Sequence, residues 1–375
     1  MRKMAVTRGA PGCGKSTLLR ECGLEGHALS ADAIRDVLSG PSLSAQGTWE
    51  RRQDNNPRVW RTLYDLLEER MRRGEFVAVD ATHADSSDLR RYADMAERFG
   101  YSRPVLLDFS GIDVERAVAN NRVRPEPTRV PESAVRGMHE RIARRQDGDA
   151  LRRYEILDAT SQGAVRRIDD MTRLPVEDLS AWARVHHLGD LQGCRSVLDK
   201  PGSPVADGLR DDELHIFVGD FLDRGPENAE AFRFAVEELV GRSNVRILRG
   251  NHELHLERWA RGEEPVSKEF ERRTLPQLEA AGFNPEDAKP LVSALEDAIL
   301  YTWRGECVMV THAGLSTVPD RMALVSSHQL THGTGFFTSP VDRQFNENAP
   351  AGWKQVHGHR NHGGLPVRAS ERSFN

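Results

Sequence analysis

Residues 9–17 read GAPGCGKST, a stretch whose residue types and spacing could hold the phosphates of a nucleotide. Glycines let the backbone N–H groups of such a loop turn towards phosphate oxygens, and the N-terminus of a following helix adds a favourable dipole. Lys15 would place its cation on the β- and γ-phosphates, and the Ser16 hydroxyl would bind Mg²⁺. The stretch therefore predicts a nucleotide site formed by Gly9, Gly12, Gly14, Lys15, Ser16 and Thr17.

Two further groups of polar residues could serve the acceptor in a phosphoryl transfer. Asp32 stands where a loop is expected to enter a helix, and Arg35 follows one turn later. The carboxylate could take a proton from an attacking hydroxyl, and the guanidinium could hold an acceptor phosphate. A helix N-cap and a surface arginine explain the same two residues equally well. Arg124 and Arg129 flank Pro and Glu in a segment that suits either a lid over the transferred group or a solvated basic loop.

Five short motifs follow one another in the second half, and most of them come directly after an apolar strand. A single Gly-Asp or Gly-His pair is more often a turn than a ligand, but five in a fixed order indicate a site. Two divalent ions about 3.5–4 Å apart need a bridging carboxylate and further oxygen and nitrogen ligands. Asp, Asn and His suit Mn²⁺, Fe²⁺, Ni²⁺ or Zn²⁺. The motifs are GDLQG at 189–193, GDFLDRG at 219–225, GNHE at 250–253, THAG at 311–314 and HGHRN at 357–361.

The elements that must position these residues are expected to form two α/β domains, because 375 residues exceed the usual size of one domain. In the first half, short strands rich in Val and Leu alternate with helical stretches, which predicts a parallel sheet with helices on both faces. The pattern changes after about Ile168. We therefore place a first domain at residues 1–165, a linker at 166–182 and a second domain at 183–375.

The composition narrows the class of protein. No apolar run approaches about 18 residues, so no membrane span is expected. A net charge of -5 excludes a strongly basic coat for nucleic acid but allows a local basic patch. The four cysteines are scattered, which predicts reduced thiols in the cytoplasm. The N-terminus enters the first strand and the glycine loop at once, so no signal peptide is expected.

The first half resembles the polynucleotide 5′-kinase family over about residues 1–150. The resemblance rests on the loop at 9–17, S-x-D-x-x-R at 30–35, a strand followed by Asp-Ala-Thr at 77–82, and N-x-x-R…R-V-P at 121–131. It implies that Asp32 is the general base and that Arg35 contacts the phosphate of the acceptor nucleotide. It also implies that Arg124 and Arg129 hold the phosphates of ATP. His83 departs from the family pattern, which has Asn after Asp-Ala-Thr.

The second half resembles the calcineurin-like metallophosphoesterases, which include serine/threonine protein phosphatases and diadenosine tetraphosphate hydrolases. The implied fold is an α/β sandwich that holds two divalent metals. The resemblance implies that Asp220 bridges both metals and that Asp190 holds the first. Asn251, His312 and His359 then hold the second. The family generally has a further strand after the last histidine motif, so we expect the C-terminal end of this domain to be trimmed or truncated.

The same resemblance assigns the catalytic and substrate-binding residues of the second half. His252 is expected near the leaving-group oxygen as a general acid, oriented by Asp223. Arg224 is expected to bind the substrate phosphate. His357 is expected to be structural or to face the substrate.

Gln192 stands where this family usually has a histidine that binds the first metal, in the pattern Gly-Asp-x-His-Gly. The carbonyl oxygen of Gln can coordinate a transition metal but is a poorer donor than imidazole. We therefore expect Gln192 to be a metal ligand in a weaker or more labile site that needs added Mn²⁺. The alternative is that Gln192 abolishes catalysis.

The order of the two halves resembles the polynucleotide kinase–phosphatase enzymes of RNA repair in bacteria and bacteriophages. This resemblance implies ATP-dependent phosphorylation of 5′-hydroxyl ends of RNA or DNA and metal-dependent removal of 3′-phosphate or 2′,3′-cyclic phosphate. The chain contains no Lys-x-Asp-Gly motif for a ligase, so a separate ligase is expected. Three alternatives stay open: a small-molecule kinase fused to a dinucleotide polyphosphate hydrolase, a similar fusion to a protein phosphatase, and a non-catalytic ATP-binding regulator.

Overall fold

The computed structural model describes residues 2–375 apart from 46, 53, 145–147 and 361–367, and the chain forms two compact units. The N-terminal unit spans Arg2–Arg173 and the C-terminal unit begins at Leu174. The stretch 166–182, which we expected to be a linker, is divided between them. Its first part lies in a helix that buries Ile168 in the N-terminal unit, and its second part contains a strand that pairs with a strand of the C-terminal unit. The boundary therefore falls between two packed elements.

The sheet of the N-terminal unit has five parallel strands, in the spatial order β2-β5-β1-β6-β7, and a separate two-stranded hairpin, β3-β4. The strands are β1 Met4–Arg8, β2 Ala28–Ser30, β3 Ser42–Leu43, β4 Trp49–Glu50, β5 Val77–Asp80, β6 Val105–Asp108 and β7 Glu155–Asp158. The helices are α1 Lys15–Glu21, α2 Ala31–Leu38, α3 Asn56–Arg72, α4 Ser86–Arg98, α5 Val114–Arg122, α6 Glu132–Arg144, α7 Gly148–Leu151 and α8 Ala164–Thr172.

The central strands of this sheet are apolar because helices cover both of their faces. Every residue of β1 and β5 is buried, as expected for parallel strands inside an α/β domain. The predicted parallel sheet with flanking helices is confirmed. The alternative interpretation of Asp32 was a helix N-cap. In α2, however, the Ser30 side chain accepts the hydrogen bond from Ala33 N, and Asp32 lies inside the first turn. Ser30, rather than Asp32, is the N-cap.

The C-terminal unit contains a four-stranded parallel sheet, β12-β11-β10-β9, and a five-stranded mixed sheet, β16-β15-β14-β13-β8. The strands are β8 Val176–Asp178, β9 Arg184–Leu188, β10 Glu213–Phe217, β11 Val245–Leu248, β12 Leu295–Glu296, β13 Ala298–Trp303, β14 Glu306–Thr311, β15 Trp353–Val356 and β16 Ser373–Phe374. The helices are α9 Asn228–Arg233, α10 Glu253–Ala260, α11 Leu275–Ala280, α12 Pro285–Ala294, α13 Ser327–His332 and α14 Val341–Asn348.

A shared core joins these two sheets into the predicted α/β sandwich. Ile216 of the parallel sheet and Val310 of the mixed sheet belong to one fully buried apolar cluster. Truncating such a residue to Ala costs roughly 2–5 kcal/mol, because the removed methyl groups leave a cavity. One short strand, β16, follows the last histidine motif and extends the mixed sheet beside β15. In the described ranges, no helix is long and apolar enough to cross a membrane.

The packing of the sandwich brings the five motifs to the carboxyl ends of five strands. Each motif starts at, or within two residues of, the end of β9, β10, β11, β14 or β15. Several residues of these motifs have left-handed backbone. Non-glycine residues adopt this conformation at an energetic cost, and such residues are concentrated at functional sites. Their φ angles are 45° at Gln192, 54° at Asp220, 74° at Asp223, 61° at Arg224 and 64° at His359.

Candidate active sites

The predicted phosphate loop runs from the end of β1 into the N-terminus of α1. Gly12 and Gly14 have φ angles of 82° and 102°, so both need the conformational freedom of glycine. A Cβ at Gly12 would overlap the carbonyl oxygen of Ala117, and one at Gly9 would lie 2.6 Å from Cys13 Sγ. The loop therefore has the compact form in which backbone N–H groups can surround a phosphate.

Two side chains of this loop are placed for phosphate and Mg²⁺. Lys15 Nζ donates to the carbonyl oxygens of Gly9 (2.8 Å) and Ala10 (2.9 Å), which holds its charge over the loop. Ser16 Oγ donates to Asp80 Oδ2 at 2.6 Å, where Asp80 ends β5. A hydroxyl and a carboxylate in contact at this position fit a Mg²⁺ ion bound to nucleotide phosphates. Sequence reasoning gave Asp80 no role, although the Asp-Ala-Thr pattern contains it.

One cavity of about 1370 Å³ joins the loop to the predicted acceptor residues. Asp32, Arg35 and Arg124 line it together with the loop. Arg129 turns elsewhere, since its guanidinium donates to the Arg124 carbonyl oxygen at 3.1 Å. The remaining predicted loop residues that line the cavity are Gly12, Gly14, Lys15, Ser16 and Thr17.

The acceptor side of this cavity is a network of charged groups around Asp32. Its carboxylate pairs with Arg35 Nη1 (2.5 Å) and with Arg51 Nη1 (2.9 Å). Arg35 also donates to Asn56 Oδ1 at 2.7 Å, and its side chain is only 8% exposed. Arg35 is therefore not the surface arginine of our alternative interpretation. Sequence reasoning missed Arg51, Asn56 and Trp60, which lie in and after a polar stretch with no motif to single them out.

His83 has a structural environment that explains why it can stand where the kinase family has Asn. Its ring is buried, with Nδ1 2.5 Å from the Thr7 carbonyl oxygen and Nε2 3.2 Å from the Tyr92 hydroxyl. Burial lowers the pKa of His83, so the ring is neutral. The side chain ties the segment after β5 to β1 and lines the cavity.

In the C-terminal unit, Asp220, His312 and His359 bring their ligand atoms within 4.8 Å of one another. Asp220 Oδ2 is buried and makes no hydrogen bond within the described part of the chain, although His312 Nε2 lies 3.3 Å away. Asn251 Oδ1 lies 3.1 Å from the same His312 nitrogen. A buried carboxylate oxygen without a hydrogen bond is costly unless a cation binds it, so this donor set fits a divalent metal.

Asp190 adjoins this cluster through the last histidine motif. The backbone N–H of His359 donates to Asp190 Oδ2 at 3.1 Å, and the rings of His312 and His359 lie 5.1 Å apart. Burial and the charge of His312 lower the pKa of His359 to about 3, which leaves a neutral imidazole that can bind a metal. Burial opposes ionisation of Asp220, but His312 and His252 outweigh it and lower the pKa of that carboxyl.

Gln192, expected as a ligand of the first metal, contacts an arginine. Its side-chain oxygen accepts a hydrogen bond from Arg224 Nη1 at 3.0 Å, and its backbone N–H donates to the Asp220 carbonyl oxygen at 2.8 Å. The same oxygen that would coordinate a metal thus orients the arginine predicted to bind the substrate phosphate. This contact could not be read from the sequence, because the two residues are 32 positions apart.

His252 and Asp223 form a buried pair of the kind expected for a general acid. His252 Nδ1 lies 2.6 Å from Asp223 Oδ2, and Thr274 Oγ1 donates to the other carboxylate oxygen. Burial lowers the pKa of His252, but the hydrogen bond to Asp223 and the charge of Asp220 raise it more, so its pKa lies above the ordinary value. The ring can therefore carry a proton on Nε2, on the side that faces Asp220.

Sequence reasoning missed Glu253, the last residue of the GNHE motif. Its Oε2 accepts the N–H groups of Asp220 (2.7 Å) and Gly250 (2.8 Å), and its Oε1 accepts that of Phe221 (2.8 Å). Burial and the charge of Asp220 raise its pKa to about 7. Glu253 therefore fixes the left-handed turn that aims Asp220, and its position inside a recognised motif was an available signal.

The remaining predicted histidines have ordinary partners. His357 is buried and its Nε2 lies 2.8 Å from Asp342 Oδ1, which makes it structural. His186 pairs with Glu213, and His187 with the hydroxyl of Tyr301. His362 and Asn361, the last residue of the fifth motif, lie outside the described residues.

These folds and sites define a P-loop kinase-like domain followed by a calcineurin-like phosphoesterase domain. The family model of the AAA domain matches residues 4–145. The chain belongs to the calcineurin-like phosphoesterase family, whose model matches residues 183–375, more than half of its length. Membership implies divalent metals in the C-terminal unit, and the P-loop domain implies nucleotide binding in the N-terminal unit.

Individual relatives share shorter stretches. A symmetrical bis(5′-nucleosyl)-tetraphosphatase of Thioalkalivibrio sulfidiphilus is 40% identical over 72 residues, 19% of this chain and 25% of that protein. One of Paracidovorax citrulli is 31% identical over 131 residues, 34% of this chain and 43% of that protein. The chain thus spans less than half the length of both relatives. The solved structure of the Deinococcus radiodurans tunicamycin resistance protein matches 47% of this chain and 98% of that chain, at 16% identity and a TM-score of 0.31.

Proposed function

We propose that the chain heals the ends of broken nucleic acid strands. The N-terminal unit transfers the γ-phosphoryl group of ATP to a 5′-hydroxyl end, and the C-terminal unit removes a 3′-phosphate or 2′,3′-cyclic phosphate. The partners are RNA or DNA ends, with a separate ligase to join them. The observation that carries the proposal is that the P-loop, Asp32 and Arg35 line one cavity. A cytoplasmic setting is supported by the four cysteines, which are all free thiols.

In the kinase reaction, Asp32 accepts the proton of the 5′-hydroxyl while the hydroxyl oxygen attacks the γ-phosphorus and the bond from that phosphorus to the oxygen of ADP breaks. Arg35, oriented by Asn56, holds the phosphate next to that hydroxyl. Ser16 and Asp80 would hold Mg²⁺, which neutralises charge on the ATP phosphates when bound. Lys15 and Arg124 line the same cavity and stabilise the charge that develops during transfer.

In the phosphoesterase reaction, the ligand set would hold two divalent ions, which we propose to be Mn²⁺ and which supply a nucleophilic water when bound. Arg224, held by Gln192, binds the phosphate oxygens. His252 gives its Nε2 proton to the leaving oxygen, and Asp223 keeps the ring in place. The proposed ligands are Asp190, Asp220, Asn251, His312 and His359, with Gln192 as the position at which this chain departs from the family.

A series of acceptors tests the kinase assignment. We expect ATP-dependent phosphorylation of a 5′-hydroxyl oligonucleotide and of adenosine 3′-monophosphate, and much slower reaction of adenosine, which offers Arg35 no phosphate. Asp32→Asn should lower kcat about 10²–10⁴-fold for every acceptor, as loss of a general base does. Arg35→Lys should raise KM only for acceptors that carry a phosphate. Equal rates with adenosine and with the oligonucleotide would contradict the assignment.

A second candidate for the C-terminal unit is hydrolysis of dinucleoside polyphosphates, and it is supported by the printed names of the matched relatives. To distinguish the two candidates, kcat/KM is measured with Mn²⁺ for an oligonucleotide 3′-phosphate and for diadenosine tetraphosphate. Asp220→Asn serves as the control. We expect the oligonucleotide to be preferred. A tenfold preference for diadenosine tetraphosphate would assign the second candidate instead.

A further inference from the structure

A loop of the C-terminal unit, residues 333–340, exposes two adjacent aromatic rings. Phe336 is 84% exposed and Phe337 is 45% exposed, and we call this pair the aromatic rim. Large apolar side chains at such exposure gain little from folding, and adjacent pairs of them mark contact sites more often than single ones. The aromatic rim therefore presents apolar ring surface to solution.

The aromatic rim lies beside the metal-binding cluster. The ring of Phe337 meets the ring of His359 edge to face, with centroids 5.4 Å apart and an interplanar angle of 80°. His359 is one of the three residues whose ligand atoms cluster within 4.8 Å, together with Asp220 and His312. Phe337 is thus in contact with a proposed metal ligand, beside the place where a phosphate ester would be cleaved.

Arg360 holds this loop in a fixed form through backbone carbonyl groups. Its Nη1 donates to the carbonyl oxygens of Phe336 (3.1 Å) and Phe337 (2.8 Å), and its Nη2 donates to that of Thr334 (3.2 Å). A Cβ at Gly333 would overlap the same guanidinium, so the loop closes tightly around it. A platform that is already ordered loses little conformational entropy when a ligand binds.

We propose that the aromatic rim stacks on the nucleobase of the nucleotide whose phosphate ester is cleaved at the metal cluster. The inference rests on the proposed phosphoesterase activity and names its substrate class as nucleoside phosphates. Stacking on an aromatic ring accepts every base, because each base has a π-face, and so it suits strand ends of any sequence. A phosphorylated serine or threonine has no ring to offer and is disfavoured by the same geometry.

The test compares the affinity for a nucleotide with the affinity for inorganic phosphate. Calorimetric titrations of adenosine 3′-monophosphate and of inorganic phosphate would use the full chain with Mn²⁺. All proteins would also carry Lys15→Ala and Arg35→Ala, so that any binding at the N-terminal unit is the same in each, and His252→Asn, which slows hydrolysis of adenosine 3′-monophosphate during the titration without removing a proposed metal ligand. The variants are the double substitution Phe336→Ala with Phe337→Ala, the ring-preserving Phe337→Tyr, and Val165→Ala, which truncates an exposed apolar side chain of the N-terminal unit.

We expect the ratio of nucleotide affinity to phosphate affinity to fall about 5- to 150-fold in the double variant, the range for loss of base stacking. Phe337→Tyr should keep the ratio within about threefold of the parent. A fall below twofold in the double variant, or an equal fall in Val165→Ala, would overturn the proposal. Failure of the proposed function is seen separately: a chain that spares RNA 3′-phosphates but shows this fall loses the polynucleotide assignment and keeps the nucleobase site.

Discussion

The two units handle phosphate groups with different chemistry. In the N-terminal unit, one contiguous loop at 9–17 offers backbone N–H groups and a lysine. In the C-terminal unit, Asp220, His312 and His359 follow three different strands and bring their ligand atoms within 4.8 Å of one another. Three of the 14 histidines lie in the first unit and eleven in the second. A nucleotide loop is thus encoded locally, whereas the proposed metal ligands come from strands of both sheets of the sandwich.

The backbone reflects this difference. Glycines supply the left-handed conformations of the P-loop at little cost, as at Gly12 and Gly14. In the C-terminal unit Asp220 has a φ of 54°, and surrounding hydrogen bonds such as those of Glu253 must hold it there. The second site therefore depends more on its neighbours than the first, and substitutions can test this dependence.

The largest expected effects come from removing one central group in each unit. Lys15→Ala should lower kinase activity about 10³-fold or more, because an electrostatic contact to the transferred phosphoryl group is lost. Asp220→Asn should lower phosphoesterase activity by a similar factor, because the carboxylate proposed to bridge the two metals is lost. Each variant should leave the other activity within twofold of the wild type. A loss of both activities in either variant would break the comparison of two separate sites.

The next effect concerns the proton donor of the C-terminal unit. His252→Asn should lower kcat about 10²–10⁴-fold on an alkyl phosphate, whose leaving oxygen needs a proton. On p-nitrophenyl phosphate the loss should be tenfold or less, since that leaving group departs as an anion. Asp223→Asn should show the same pattern with a smaller loss. Equal losses on both substrates would show that His252 binds a metal or substrate and is not the acid.

A smaller change is expected at the residue that distinguishes this chain from the family pattern. Gln192→His should raise Mn²⁺ affinity about tenfold, because imidazole is the better ligand. The same change removes the partner of Arg224 and should raise KM for phosphate esters. Arg224→Lys is the matched control, since it should raise KM without a gain in Mn²⁺ affinity. Calorimetric titration with Mn²⁺ measures the first effect, and unchanged affinity in Gln192→His would contradict a metal role for this position.

The smallest effect is a pH dependence of stability that arises inside the sandwich. Burial lowers the pKa of His187 to about 4, below the ordinary value near 6.5. The contribution of His187 to the free energy of unfolding is therefore fully present above pH 6.5. It is lost as the pH falls from 6.5 through 4, because the unfolded chain takes up the proton at a higher pH than the folded chain. The ring is partly exposed, so we expect on the order of 2 kcal/mol for this contribution.

Substituting His187 with Phe should reduce the slope of unfolding free energy against pH between 6.5 and 4. Urea unfolding at several pH values measures this slope. Tyr301→Phe removes the hydroxyl that lies 3.2 Å from His187 Nε2 and should keep the slope, which separates proton uptake from the hydrogen bond. An equal slope in wild type and His187→Phe would contradict the lowered pKa of His187.

The fold and the central residues of both sites could be predicted from the sequence, but the positions of some surrounding side chains could not. The alternation of strands and helices predicted the parallel sheet of the N-terminal unit, and the resemblance to calcineurin-like phosphoesterases gave the expected metal ligands, which follow strand ends that share an edge. The P-loop gave Lys15 and Ser16 directly. Arg129 was expected on the ATP phosphates, yet it donates to the Arg124 carbonyl oxygen, and nothing in a basic loop fixes where each arginine turns.

The partners of these residues could not be predicted, because they come from distant positions. Arg51 directly follows the β3-β4 hairpin and pairs with Asp32, and Thr274 reaches Asp223 across 51 residues. Gln192 was expected as a metal ligand because it stands in place of a histidine. Its contact with Arg224 depends on the left-handed backbone of both residues, and no side-chain pattern reveals these φ angles. Arg360 holds the aromatic rim through hydrogen bonds to backbone carbonyl oxygens. Every residue has such an oxygen, so no side-chain pattern predicts this contact.

One measurement tests the central claim that the two units act on the two ends of one broken strand. The wild-type chain would be incubated with ATP, Mg²⁺ and Mn²⁺ and an RNA oligonucleotide that has a 5′-hydroxyl and a 3′-phosphate, and both ends of the product would be resolved. We predict a 5′-phosphate that is lost in Lys15→Ala and a 3′-hydroxyl that is lost in Asp220→Asn. An oligonucleotide that keeps both original ends in the presence of active protein would contradict the account.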